Sequence, residues 1–137
     1  MLAGDASQTV VDRRLREIDF GVVEGLTYDE VERAYPALLQ AWMERPTEVT
    51  FPEGEPVAAM AARVRDALAD LLRVRPNQTT LVVSHGGVNR IVLADALGLP
   101  LASMFRLSQD YACFNVVEYW TGHTAVRAMN VPAGRPC

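Results

Sequence analysis

Residues 81–90, LVVSHGGVNR, set His85 between a run of apolar β-formers and two glycines that open a helical pattern. A strand that runs into Gly-Gly and then a helix leaves its last residue at the carboxyl edge of a sheet, where open α/β sheets bind ligands. The helix start at Gly86 and Gly87 offers backbone N–H groups and the positive end of a dipole, a setting for an anion such as phosphate. Glycine lets such a ligand approach the backbone closely. His85 at that joint can donate a hydrogen bond or a proton to a bound phosphate oxygen. A histidine at a strand end can equally cap the next helix or pack under a loop, and local features alone do not separate these roles.

A second stretch, LREIDFGVVEGLTYDE (residues 15–30), carries Glu17, Asp19 and Glu24 in or beside a loop punctuated by Gly21 and Gly25. A parallel strand ahead of this loop would bring Glu17 to the same sheet edge as His85. A carboxyl group beside a phosphate can serve as a general acid. Asp19 and Glu24 read as solvated loop charges. Other chemistries fit less well. Ser84 is not in a nucleophile elbow, because Val82 stands where the first glycine of G-x-S-x-G belongs. HGGVNR is neither a Walker loop nor a dinucleotide fingerprint. His123 follows a turn and reads as a surface residue. Cys113 and Cys137 fit neither a disulfide framework nor a metal motif, so no metal or other cofactor is expected.

The elements that must position these groups alternate in type. Residues 8–15 read as a short strand centred on Val10 and Val11. Thr27 and Glu30 form a capping box, so a helix starts near Tyr28, and Pro36 divides the apolar pattern that follows into two short helices. The prolines of residues 44–56 mark a loop. Pro56 then opens the clearest helix, whose stripe is Val57, Met60, Ala61, Val64, Leu68, Leu71 and Leu72, ending near Arg75 and Pro76. TTLVVS (79–84) reads as a buried strand, and residues 86–97 as a helix stopped by Gly98. Residues 112–120 and 123–130 read as a hairpin turning at Thr121 and Gly122, with a loop after it. The pattern is α/β, a mostly parallel sheet with an antiparallel hairpin at its end.

Length suits one domain over residues 1–137. Half of the residues are hydrophobic, the formal net charge is −4, and all 13 basic residues are arginine. No basic run suggests nucleic acid, and no stretch suits a membrane span or a signal peptide, so a cytoplasmic protein is the expectation.

Taken together, LREIDFGVVEGLTYDEV, YPALLQAW, PEGEPVAAMAARV and LVVSHGGVNRIVLADALGLPL resemble, in order and spacing, the histidine phosphatase superfamily, the phosphoglycerate-mutase-like group, and within it the α-ribazole phosphatase and broad-specificity branch. The resemblance covers nearly the whole chain. It implies a three-layer α/β/α fold and a two-step, metal-free hydrolysis of a small phosphorylated metabolite. In that family a histidine of an Arg-His-Gly motif takes the phosphoryl group. A second histidine, in Ser-His-Gly, binds the phosphate, and the carboxylate of a Leu-x-Glu motif is the acid and base. The resemblance assigns these last two roles to His85, with Gly86, and to Glu17. The chain departs from the family in one block. Ser84 precedes one of its two histidines and Gly122 the other, so no Arg-His-Gly is present. A second phosphate-binding arginine segment, due before residue 15, is missing too. MLAGDASQTVVD resembles the end of the helix that follows that segment. The expectation is therefore an N-terminally truncated phosphatase with an incomplete sheet, its first two strands absent, prone to self-association or poor stability. The alternative is a catalytically inactive binding or assembly module.

Overall fold

Local chemistry starts and stops each helix. The computed structural model describes residues 9–133. Thr27 opens α1 (Tyr28–Ala34). Its hydroxyl accepts the Glu30 N–H at 3.4 Å, and the Glu30 carboxylate accepts the Thr27 N–H at 2.8 Å, the reciprocal capping box read from the sequence. Pro36 has no N–H to continue α1 and instead takes the first position of α2 (Pro36–Glu44). Pro56 caps α3 (Val57–Val74), and His85 caps α4 (Gly86–Ala96). Gly98, at φ +66°, ends α4. The Leu99 N–H reaches the Ala94 carbonyl at 2.8 Å and the Gly98 N–H that of Asp95 at 3.2 Å, the paired bonds of a Schellman motif. A hairpin follows, β1 (Cys113–Trp120) and β2 (His123–Pro132), antiparallel, with Val117 opposite Val126. The second strand runs two residues beyond the expected Asn130, because Val131 and Pro132 still face Phe114 and Cys113.

The core lies where α3 crosses α4. Val57, Met60, Ala61 and Val64 of α3 and Val88 and Ile91 of α4 are buried in one cluster with Ile18 and Val23 from the Gly-punctuated loop. Trp42 of α2 anchors its far side, with ring centroids 5.8 Å from Phe20, 5.4 Å from Phe51 and 5.6 Å from Phe105. Phe20 is thereby fixed three residues after Glu17. A smaller cluster of Leu93, Ala94 and Leu107 seats α4 on Val117 and Val126 of the hairpin. The outer end of the α3 stripe is less covered: Leu72 is exposed.

Two expected strands are not formed. Residues 79–84 make no sheet ladder, and Leu81 and Val83 are 73% and 88% exposed. In the 8–15 stretch, Gln8 lies outside the described residues, Val10 and Val11 are 79% and 86% exposed, and Arg13–Leu15 is a 3-10 turn. The reason is the same in both places. A strand is stable only when a neighbour accepts and donates its backbone hydrogen bonds, and among the described residues the only pairing is β1 with β2. At the second place the Asp12 carboxylate also accepts the Arg14 N–H at 2.9 Å, which starts the turn instead. The sequence readings for residues 1–7 and Cys137 also lie outside the described residues.

Candidate functional site

The segment bearing Glu17 has no regular structure, so its shape depends on side chains that reach it from elsewhere. Four consecutive backbone carbonyls are held. Arg63 of α3 donates through Nη1 to the carbonyls of Arg14 (2.6 Å) and Arg16 (2.7 Å), and through Nη2 to that of Glu17 (3.0 Å). Ser84 Oγ donates to the Leu15 carbonyl at 2.7 Å. Arg63 is itself fixed by Glu55, whose carboxylate accepts from Nε at 2.8 Å and Nη2 at 2.7 Å. This is a forked ion pair whose side chains are only 13% and 12% exposed. The Arg63 guanidinium, helped by Arg16 at 3.7 Å, holds the Glu55 carboxyl below its ordinary range. The loop of residues 51–56 braces the same segment, since the Glu55 N–H reaches the Asp19 carbonyl at 2.8 Å and the Val22 N–H reaches that of Pro52 at 3.0 Å.

So held, Glu17 turns its carboxylate onto the start of α4. Oε2 accepts the Gly87 N–H at 3.0 Å, and Oε1 accepts the N–H of Ile18 at 3.0 Å. The first N–H groups of a helix have no intrahelical acceptor, and they favour negative charge. Glycine is required here by space: a Cβ on Gly87 would overlap Glu17 Oε1 and come within 3.1 Å of Met60 Cε. His85 caps the same helix in extended conformation (φ −121°, ψ 165°), exposed, with no capping bond from its side chain. The structure therefore brings Glu17 to the helix start that His85 and Gly86 begin. The N–H it takes is that of Gly87, the second of the two glycines at that start.

Four participants were not legible as such. Arg90 lies one helical turn after Gly86, and its Nη1 stands 2.9 Å from where a Gly86 Cβ would be. Its Nε is tied to the Leu107 carbonyl at 3.0 Å, and its guanidinium lies 5.9 Å from the Phe105 ring centre. The i, i+4 spacing within HGGVNR was the available signal. Ser84, Glu55 and Arg63 announce themselves only through the fold. Asp19 and Glu24 behave as loop carboxylates: Asp19 accepts the Gly21 N–H at 2.9 Å and Glu24 that of Phe20 at 2.8 Å. His123 is exposed at the hairpin turn, its ring 5.4 Å from that of Trp120. Among the described residues no group of three or more His, Cys, Asp or Glu side chains could hold a metal, and no helix is long and apolar enough to cross a membrane. An apolar cavity of about 320 Å³ lies beside Phe20, Leu26, Tyr28, Trp42 and Met43, and its lining includes neither Glu17 nor His85.

The family model of the histidine phosphatase superfamily (branch 1) matches residues 2–132. The chain belongs to the histidine phosphatase superfamily. Among its relatives, it is 29% identical to phosphoserine phosphatase 1 of Hydrogenobacter thermophilus, over 90% of this chain and 59% of that protein. It is 34% identical to a probable phosphoglycerate mutase GpmB of Erwinia tasmaniensis, over 72% of this chain and 46% of that protein. Among solved structures it superposes on Bacillus stearothermophilus YhfR with a TM-score of 0.78 and 26% identity, covering 89% of this chain and 61% of that one. A mycobacterial glucosyl-3-phosphoglycerate phosphatase solved with inorganic phosphate gives a TM-score of 0.77 at 27% identity, covering 90% and 65%. These likenesses establish the α/β fold of histidine phosphatases. The chain spans less than two thirds of the length of each of these relatives.

Proposed function

We propose that this chain is the acid/base and phosphate-binding portion of a phosphomonoester hydrolase that, in its complete form, works through a phosphohistidine. The observation that carries the reading is the Gly87 N–H to Glu17 Oε2 bond of 3.0 Å, which joins residues 70 apart in sequence at the helix start that His85 and Gly86 begin. The histidine of an Arg-His-Gly motif, which these 137 residues do not contain, would form a bond to phosphorus as the ester P–O bond breaks. Glu17 would pass its proton to the leaving oxygen. Water would then attack the phosphohistidine and return a proton to the Glu17 carboxylate, releasing inorganic phosphate. His85, the Gly86 N–H and cationic side chains stabilise the equatorial oxygens through both steps. The substrate is a small phosphorylated metabolite. Phosphoserine and glucosyl-3-phosphoglycerate, named for its relatives, illustrate the class, and phosphatase rather than mutase chemistry is the reading. The place of action is the cytoplasm.

A second reading, an inactive binding or assembly module, is favoured by the bare apolar segment at Leu81–Val83, which a second copy of the chain could cover. Titration with inorganic phosphate, followed by amide and imidazole NMR, tests the first. Saturable shifts confined to His85, Gly86 and Gly87, reduced by His85→Ala, support it. Saturable binding elsewhere, or none, refutes the site.

A further inference from the structure

The acid/base role gives Glu17 a demand that its own backbone cannot meet. A carboxyl group that transfers a proton must be held to within a fraction of an ångström, yet residues 16–20 lie in neither helix nor strand. Behind them lies α3, and its largely buried Arg63 reaches the carbonyls of this segment. We propose that Arg63, locked by Glu55, is the positioning residue for Glu17.

Three of the four held carbonyls, those of Arg14, Arg16 and Glu17, belong to Arg63 alone. The fourth, that of Leu15, belongs to Ser84, next to His85. The two anchors thus fix the segment from opposite partners, one on the α3 side and one on the α4 side. The planar fork matters more than the charge. Nε and Nη2 are spent on Glu55 and Nη1 with Nη2 on the carbonyls, a division that an ammonium group, with a single nitrogen, cannot reproduce. Glu55 acts twice, through its carboxylate on Arg63 and through its N–H on the Asp19 carbonyl. It therefore clamps the segment on both sides of Glu17.

This inference rests on the proposed role of Glu17, and its test keeps the two apart. The readout is the pH dependence of the Gly87 amide shift, which reports protonation of the carboxylate bonded to it. Glu17→Gln is expected to abolish that dependence; if it does not, the Glu17 site fails and the positioning role with it. With the dependence so assigned, Arg63→Ala is expected to lose most of it while the helical signals of α3 and α4 persist. Val64→Ala, which removes buried volume on the next residue without touching the four carbonyls, is expected to keep it. A folded Arg63→Ala with the wild-type Gly87 response would overturn the proposal, and so would an equal loss in Val64→Ala. Should Arg63→Ala not fold, Arg63→Lys takes its place under the same two outcomes.

Discussion

Two adjacent glycines at the start of α4 are expected to respond to alanine in opposite senses. In a helix, alanine is favoured over glycine by about 0.8–1.0 kcal/mol. At Gly86 the added Cβ meets one neighbour, Arg90 Nη1 at 2.9 Å, the far end of a long side chain that can shift. Gly86→Ala should therefore be neutral or slightly stabilising. At Gly87 the Cβ would overlap Glu17 Oε1, with Met60 Cε at 3.1 Å behind it. Oε1 is the atom that must move, so Glu17 leaves and its bond to the Gly87 N–H is lost. A hydrogen bond to a charged group is worth about 1.5–3 kcal/mol. Set against the helix preference, that leaves Gly87→Ala destabilising by roughly 0.5–2 kcal/mol. Urea unfolding of the two variants and the parent, at one ionic strength, measures the difference. Gly87→Ala as stable as Gly86→Ala would refute the claim that Glu17 is packed onto this helix start.

Arg63→Ala leaves the largely buried Glu55 carboxylate with only the longer Arg16 contact at 3.7 Å and should cost about 3 kcal/mol in the same assay. Because the folded-state pKa of Glu55 lies below its ordinary value of 4.5, the stability it contributes is present above that value and is lost as pH falls through the lower one. Acid unfolding followed by circular dichroism should show that loss, and Glu55→Gln should flatten it. Met60→Ala, at the crossing of α3 and α4, should cost about 2–5 kcal/mol by thermal or urea melting. Val83→Lys should shift the chain toward the monomer in size-exclusion chromatography with light scattering, if the bare segment at Leu81–Val83 drives association; unchanged mass would dismiss that segment.

What could be read before folding, and what could not, divides along the range of the forces involved. Thr27 with Glu30, Pro36, Pro56 and Gly98 act within a few residues, and the helix ends they mark stand where they were expected. The runs at Val10–Val11 and Leu81–Ser84 have the composition of strands, but strand formation depends on partners that composition does not reveal. The hairpin was legible because its partner is two residues away across Thr121 and Gly122. In the site, Glu17 and the helix start at His85 were legible from residue type and local pattern. Gly87 was not distinguished from Gly86, since only the approach of Glu17 decides between them. Arg63 and Glu55 were invisible in their roles, because the bonds that Arg63 makes to the Glu17 segment cross 46–49 residues and leave no trace in spacing.

Whether Glu17 and His85 serve a phosphohistidine hydrolase is decided by hydrolysis of p-nitrophenyl phosphate, measured for the chain alone and with a supplied N-terminal segment carrying the Arg-His-Gly motif. No turnover is expected from the chain alone, and turnover is expected on addition of the segment. That turnover should fall by about 10²–10⁴-fold in Glu17→Gln, the usual contribution of a positioned acid/base, and fall also in His85→Ala. Robust turnover by the chain alone, or restored turnover indifferent to both substitutions, would contradict those roles.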